Sequence, residues 1–460
     1  MLLRALLTTA TAVLVAAPAA QAQDRYSLAG GCFDVSGDLN LQQVRFQATA
    51  LGRYLLYLED GTFATAAGPA DAPSPAADFT VTETAGGFDI APQSTGARAG
   101  TISVAPAEGC AEYPEAPLNA TGTPPGGPTE FGAVQGIIEG HMHWMAYQIF
   151  GGNFRCGKPW DPYGIAYAMP DCADNEGPQG TAAVLQNTLN YGNPAQAHST
   201  ENWPGFPNQA RDNLSYEGMY WRWVQRVWKA GLRLMIMSVN ENRVLCELQA
   251  NRERSCNEMD TMRGGFAAIR ELEDYVDAQA GGPGKGFFEV VTDPLRAREV
   301  INEGRMAVVL EIETSEPFDC IGWEQPTCNR EQIAQQIEQM DKVGVRSSLL
   351  LNKFDNPLSG VRFDSGAASA LINAGNKQSA GSYWDAETCK GPLQDNQIDI
   401  FPNDAGSDAL LDGLGFQGGT FPTYPPAPHC NRRGLTELGR FAVKEMMKRG
   451  WIVNPDHMSQ

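Results

Sequence analysis

Four times after residue 216 of this 460-residue chain, an amphipathic helical stretch runs into a glycine and an apolar stretch follows. The helical stretches are 217–230, 293–303, 330–343 and 436–449, and the glycines are Gly231, Gly304, Gly344 and Gly450. A glycine just past a helix supplies the left-handed residue that ends it, and a strand is the usual sequel in a βα repeat. The apolar stretches are 232–239, 306–312, 345–351 and 451–453, and a fifth at 134–139 starts the series. The repeat predicts a parallel sheet covered by helices. Long loops follow the strands, and ligand-type residues sit at strand C-terminal ends. That arrangement predicts a (β/α)8 TIM-type barrel, with a doubly wound open sheet as the alternative. No G-x-G-x-x-G follows a strand to support a dinucleotide fold. Five strands are legible where a closed barrel needs eight. The barrel is therefore incomplete in this chain, or its other strands lie in the weakly periodic residues 355–430 or beyond residue 460. Residues 355–430 read as a long surface insertion held by Cys389 and Cys430.

Four segments are expected. Residues 1–22 read as a signal peptide, with Arg4 ahead of a short apolar core and Ala20-Gln21-Ala22 as the cleavage site. Residues 24–111 read as a β-rich accessory domain, from the alternating runs 44–48, 54–58, 79–82 and 87–90. Residues 112–132 read as a Pro/Gly linker, and 133–460 as the β/α barrel domain. The apolar run near the N-terminus is too short for a membrane span, and no transmembrane segment is expected after signal cleavage. The mature chain is expected in the periplasm or the medium. Its ten cysteines are even in number and contain no C-x-x-C, which in an exported chain predicts disulfides. Sequential pairing is expected: Cys32 with Cys110, Cys156 with Cys172, Cys246 with Cys256, Cys320 with Cys328, and Cys389 with Cys430. A net charge of −20 makes nucleic acid a poor partner.

The chain holds five histidines, and two stand one residue apart in Gly140-His141-Met142-His143-Trp144, where an apolar strand meets its loop. Side chains at i and i+2 of a strand point to the same side, so His141 and His143 form half of a metal site. His457 follows the last apolar stretch and is a further ligand candidate. Glu311 and Glu313 share one side of their strand, and buried carboxylates at a site mouth need a cation or a proton. Glu313, nearer the strand end, is the expected bridge between two ions. Lys353 reads as an anchor for a substrate carboxylate or a modified lysine ligand, with a loop ion pair to Asp355 as the plainer alternative. Asn352 and Asn240 are candidate substrate contacts. Asp456 is placed to orient His457 or to shuttle a proton. His198 and His429 lie in polar and Pro-rich loops, where surface roles are commoner.

The stretch Gly434-Leu435-Thr436-x-x-Gly439, then Met446, then Gly450-Trp451-Ile452-Val453-Asn454-x-x-His457-x-Ser459 resembles a segment of the membrane (renal-type) dipeptidases. In that family a helix opening L-T-x-x-G leads into a strand ending D-x-S-H-x-S. Residues 304–313 are similar to the strand that carries its bridging glutamate, and 344–357 to the next strand. The likeness covers roughly 131–460. Here the first motif is His-Met-His rather than H-x-D, as in the wider amidohydrolase superfamily. Asn352 stands for the fourth-strand histidine, Asn454 for the aspartate, and a later metal histidine has no position. The resemblance implies an exported hydrolase with one or two divalent ions, zinc foremost, held by His141, His143, Glu313 and His457. Its substrates would be small molecules or short peptides cleaved at amide bonds. The alternatives are a non-catalytic exported binding protein on a degenerate barrel and a metal-dependent phosphoesterase.

Overall fold

Alternating apolar residues in the N-terminal hundred residues pair into an antiparallel sheet. The computed structural model describes residues 24–152, 157–170, 219–249, 252–391, 396–413, 415–416 and 419–459. It divides the chain into Met1–Gln47 with Gly52–Ala111, and Ala48–Leu51 with Glu112–Gln460. The strands of the sheet are β1 (Cys32–Gly37), β2 (Leu41–Ala50), β3 (Arg53–Tyr57), β4 (Phe63–Thr65), β5 (Gly68–Ala70), β6 (Asp78–Thr84), β7 (Gly87–Pro92) and β8 (Gly100–Pro106). They run in the order β2-β1-β8-β7-β6-β3-β4-β5, and a further β2–β3 pairing closes the path on itself. Phe46, Tyr54, Phe79, Val81 and Ile102 are buried, and Phe33 meets Phe46 edge-on at 5.4 Å. Cys32 and Cys110 form a disulfide across the unit's ends.

The larger unit is built on a parallel sheet. Its strands are β9 (Ile137–Met142), β10 (Leu232–Glu241), β11 (Phe288–Val290), β12 (Met306–Thr314), β13 (Val345–Leu349) and, last in the chain, β16 (Ile452–Asn454). A separate antiparallel pair is β14 (Ala386–Thr388) with β15 (His429–Asn431). Nine α-helices occur among the described residues: α1 (Ile165–Ala168), α2 (Trp221–Lys229), α3 (Arg243–Leu248), α4 (Glu258–Gln279), α5 (Pro294–Asn302), α6 (Arg330–Val343), α7 (Ala367–Ala380), α8 (Ala405–Gly413) and α9 (Glu437–Lys448).

The helix ends follow local chemistry. Asp293 caps α5 through the Leu295 and Arg296 amides, with Pro294 first in the helix. Asn329 and Gln332 form a capping box on α6, and Gly344 ends it at φ 105°, a conformation that strains residues with a Cβ. Thr436 caps α9 by accepting from the Gly439 amide.

The (β/α)8 barrel expected from the helix–glycine–strand repeat is not formed. The parallel sheet has six strands in the order β16-β13-β12-β10-β9, with β11 and β13 sharing one side of β12. It is a half-barrel, and among the described residues β9 and β16 are its edges. Ile137, Ile138 and Ile452 on those edges are 59%, 67% and 50% exposed, where a closed barrel would cover them. Nor is it doubly wound. The path β9-β10-β12-β13-β16 follows chain order, without the reversal that marks a doubly wound sheet. β11 alone is out of order, and the return from it to β12 carries α5 to the opposite face, where Ala297, Val300 and Ile301 pack with Ala307 and Val309.

The described residues of 355–430 add no strand to the parallel sheet and are more than a surface insertion. They build two small cores of their own. Phe354, Ala374, Leu411, Phe416 and Phe421 form one, and Leu351, Val361, Phe363, Trp384 and Ile398 the other.

Residues 112–132 belong to the larger unit. Tyr220 donates to both Glu115 oxygens at 2.8 and 2.7 Å, and Arg226 Nη2 donates to the Pro117 carbonyl at 2.6 Å. Disulfides also join Cys246 to Cys256, Cys320 to Cys328, and Cys389 to Cys430. Cys156 and Cys172 lie outside the described residues. Four disulfides fit a chain exported to an oxidising compartment. Among the described residues no helix is long and apolar enough to cross a membrane.

Candidate metal centre

Three neighbouring strands build the site, each contributing alternate residues to the face opposite α2, α4, α6 and α9. β9 carries His141, His143 follows directly after its last residue, and β12 carries Glu311 and Glu313. β10 lies between them and offers small side chains there: Ser238 is in register with Glu311 and Asn240 with Glu313. The shortness of Ser238 lets His141 reach across β10. His141 Nδ1 lies 3.1 Å from Glu311 Oε1, and His141 Nε2 lies 3.1 Å from Glu313 Oε2. His143 Nε2 is 3.3 Å from the same Glu313 oxygen and 3.0 Å from His141 Nε2. One atom from each of His141, His143 and Glu313 thus falls within a 4.8 Å cluster.

Both carboxylates are buried. Glu311 accepts from Ser347 Oγ on β13 at 2.6 Å and from Asn454 Nδ2 on β16 at 3.2 Å, as well as from His141. A His Nδ1–H held by a carboxylate fixes the tautomer and presents the Nε2 lone pair to a metal. Glu313 accepts from Ser238 Oγ at 3.3 Å and Asn352 Nδ2 at 3.0 Å, and His457 Nε2 stands 3.5 Å from its Oε1.

The electrostatics of the site follow from these contacts. The Glu311 and Glu313 carboxylates raise His141 to about 10, against the opposing effect of partial burial. Burial alone would push Glu313 up, but His141, His457 and His143 together hold it well below the usual carboxylate range. A proton on His141 here occupies the space a cation would take. Two imidazole nitrogens and a carboxylate oxygen are a donor set that suits zinc and its neighbours. The buried Oδ1 atoms of Asn352 and Asn240 have no hydrogen-bond partner, so the cluster also holds spare oxygen donors.

The expected site residues are therefore brought together in part. His141, His143, Glu313, His457 and Asn352 converge, with Asn240 in register beside Glu313. His457 is set at φ 65°, and its carbonyl accepts from the Arg362 amide at 2.7 Å. Asp456 is exposed, and its side chain makes no hydrogen bond or ion pair among the described residues. Lys353 pairs with Asp364 at 3.0 Å rather than with Asp355, which is buried against Arg433 at 2.9 Å. His429 is a buried structural residue: its Nδ1 accepts from the Ile398 amide and its Nε2 meets the Pro425 carbonyl. His198 lies outside the described residues.

Sequence reasoning missed Ser347 and the orienting role of Glu311. The period-2 spacing of Glu311 and Glu313 was the available signal. Comparison of the chain with family models, with curated proteins and with solved structures found no match.

Proposed function

We propose that this chain is an exported metal-dependent hydrolase, periplasmic or secreted, acting on amide or peptide bonds of small substrates. The observation that carries this reading is the convergence of His141 Nε2, His143 Nε2 and Glu313 Oε2 beside a carboxylate that orients His141. A divalent ion held there, zinc foremost, supplies Lewis acidity for activating water and polarising a carbonyl. Glu311 keeps the proton of His141 on Nδ1, leaving Nε2 to ligate. Glu313 offers Oε2 to the two histidines and Oε1 toward His457, so it can serve one ion or bridge two. Lys353 stands in an ion pair that a substrate carboxylate can exchange into. The exposed Asp456, whose amide donates to Asn454 Oδ1 at 3.1 Å, is placed to accept a proton at the mouth.

The test is ion content and turnover on one preparation. Zinc binding by the purified chain, lost in His143→Ala together with hydrolysis of dipeptides or N-acyl amino acids, is the expected result. Hydrolysis of an aryl phosphate in place of the amides would move the chemistry to phosphoester cleavage. Ion binding without turnover of either class would leave a binding protein. No ion binding would end the reading.

A further inference from the structure

Asn352 is 9% exposed, and its carboxamide sits against Glu313 of the metal centre. Its Nδ2 donates to Glu313 Oε1 at 3.0 Å, while its buried Oδ1 has no hydrogen-bond partner. A buried acceptor left unmade costs on the order of 1–3 kcal/mol, so its retention calls for a reason. The residue is not there by looseness of its loop. The Lys353 amide next to it donates to Ser315 Oγ at 3.0 Å, and Asn356 Nδ2 donates to the Ser315 and Leu350 carbonyls.

The two oxygens of Glu313 serve different neighbours: Oε2 faces His141 and His143, whereas Oε1 meets Asn352 and His457. Carboxamide orientation is set by its surroundings and reverses when they change. A half-turn of Asn352 exchanges its nitrogen and oxygen and puts Oδ1 about 3.0 Å from Glu313 Oε1. Two bare oxygens at that separation repel in the absence of a cation. Shared by one, they span the edge of an octahedron, about 2.9 Å for bonds of roughly 2.0–2.1 Å.

We propose that Asn352 is a metal ligand through Oδ1, and that with Glu313 Oε1 and His457 Nε2 it makes an oxygen-rich position favouring a hard ion such as Mn2+. This rests on the metal-centre reading above. Oxygen donors suit Mn2+ and Mg2+, whereas the imidazole pair at the other Glu313 oxygen suits Zn2+. Asn352 thereby sets the ion preference of one half of the centre.

The full chain is titrated with Mn2+, followed by the electron paramagnetic resonance of the free ion, before and after loading with one equivalent of Zn2+. The variants are Asn352→Leu and Asn352→Asp. Zn-loaded wild type is expected to bind Mn2+. Asn352→Leu should keep its Zn2+ and lose Mn2+ affinity about tenfold or more, and Asn352→Asp, which restores an oxygen, should recover it. Retained Zn2+ shows that the leucine variant is folded. Mn2+ binding by Asn352→Leu within about twofold of wild type would overturn the inference. So would a Zn-loaded wild type that takes no Mn2+, with the single-ion centre left intact. A wild type that binds neither ion would instead remove the metal centre itself.

Discussion

Glu311→Gln separates orientation from ligation. Glu311 is buried and does not belong to the three-residue cluster, yet it is the carboxylate that holds His141 Nδ1. Glutamine has nearly the same shape, so packing is preserved. Its amide, however, has one oxygen and one NH2 where the carboxylate had two acceptors. If the oxygen serves His141, the NH2 faces Ser347 Oγ and Asn454 Nδ2. The serine hydroxyl can turn to accept, but the Asn454 donor loses its partner. If the NH2 faces His141, Nδ1 becomes the acceptor, the proton moves to Nε2, and that nitrogen cannot bind an ion. Outer partners of this kind are worth about 10–100-fold in metal affinity, or roughly 1.4–2.7 kcal/mol. The expected result is a Zn2+ dissociation constant weaker by that factor, measured by competition with a chromophoric chelator. The stabilisation of the fold by saturating Zn2+ should shrink by the same free energy, since both report ligand binding to the native state. Without metal, the variant should melt somewhat below wild type, because it loses the His141 ion pair or an acceptor for Asn454, worth about 1–3 kcal/mol. A Glu311→Gln protein with wild-type Zn2+ affinity, beside a His143→Ala protein that has lost it, would refute the orienting role.

Three further outcomes follow from buried groups. Glu241 accepts from the Phe150, Asn242 and Gly151 amides and Thr261 Oγ1, yet its burial raises it from 4.5 to about 7. The folded state then binds the extra proton between those values, so its contribution to stability is full below pH 4.5 and falls by roughly 3 kcal/mol as pH rises to 7. Denaturant titrations over that range should show a shallower decline in Glu241→Gln, and equal slopes would contradict the assignment. Arg433→Met leaves the fully buried Asp355 charge without its partner and should destabilise by about 3–5 kcal/mol, read as a shifted denaturation midpoint. Gly439→Ala would set a Cβ 2.0 Å from the Leu358 carbonyl oxygen, which is backbone. It should lower the melting temperature through about 1–3 kcal/mol of overpacking, and an unchanged melt would show that the loop yields.

The elements that could be read from sequence are those whose causes are local. The ends of α5, α6 and α9 coincide with capping residues and glycines, because an orphan amide and a left-handed turn are satisfied within a few residues. The long helix α4 was not legible, because Gly264 and Gly265 interrupt its pattern. Gly265 is required by a distant residue: a Cβ there would lie 2.7 Å from the Val239 side chain on β10. Closure of the sheet was equally hidden. It depends on whether strands far apart in sequence meet, and the residues expected to provide them fold around Phe354, Phe416 and Trp384 instead. At the site, period 2 exposes Glu-x-Glu, which lies within β12, and His-x-His, which spans the end of β9. The register that sets Ser238 between them belongs to three strands at once and leaves no mark in any one of them.

That register also explains how an edge strand can hold a metal centre. Among the described residues β9 pairs only with β10, and the register is irregular around Leu232–Leu234 and Met235–Met237. A closed barrel would fix such a strand from both sides. Here Glu311 and Glu313 do so from two strands away, through His141 and His143. In the ion-free protein these links depend on a proton held by His141, and a cation would replace them with stronger bonds to the same atoms. Ion binding and the order of β9 are therefore coupled. Amide hydrogen exchange at 137–142 should slow when Zn2+ is added, while β12, covered on both sides, should change little. The slowing should be absent in His143→Ala. Exchange at β9 that is already as slow as at β12 without an ion would mean that the hydrogen bonds to β10 suffice. The carboxylates would then be ligands alone, with no part in holding the edge of the sheet.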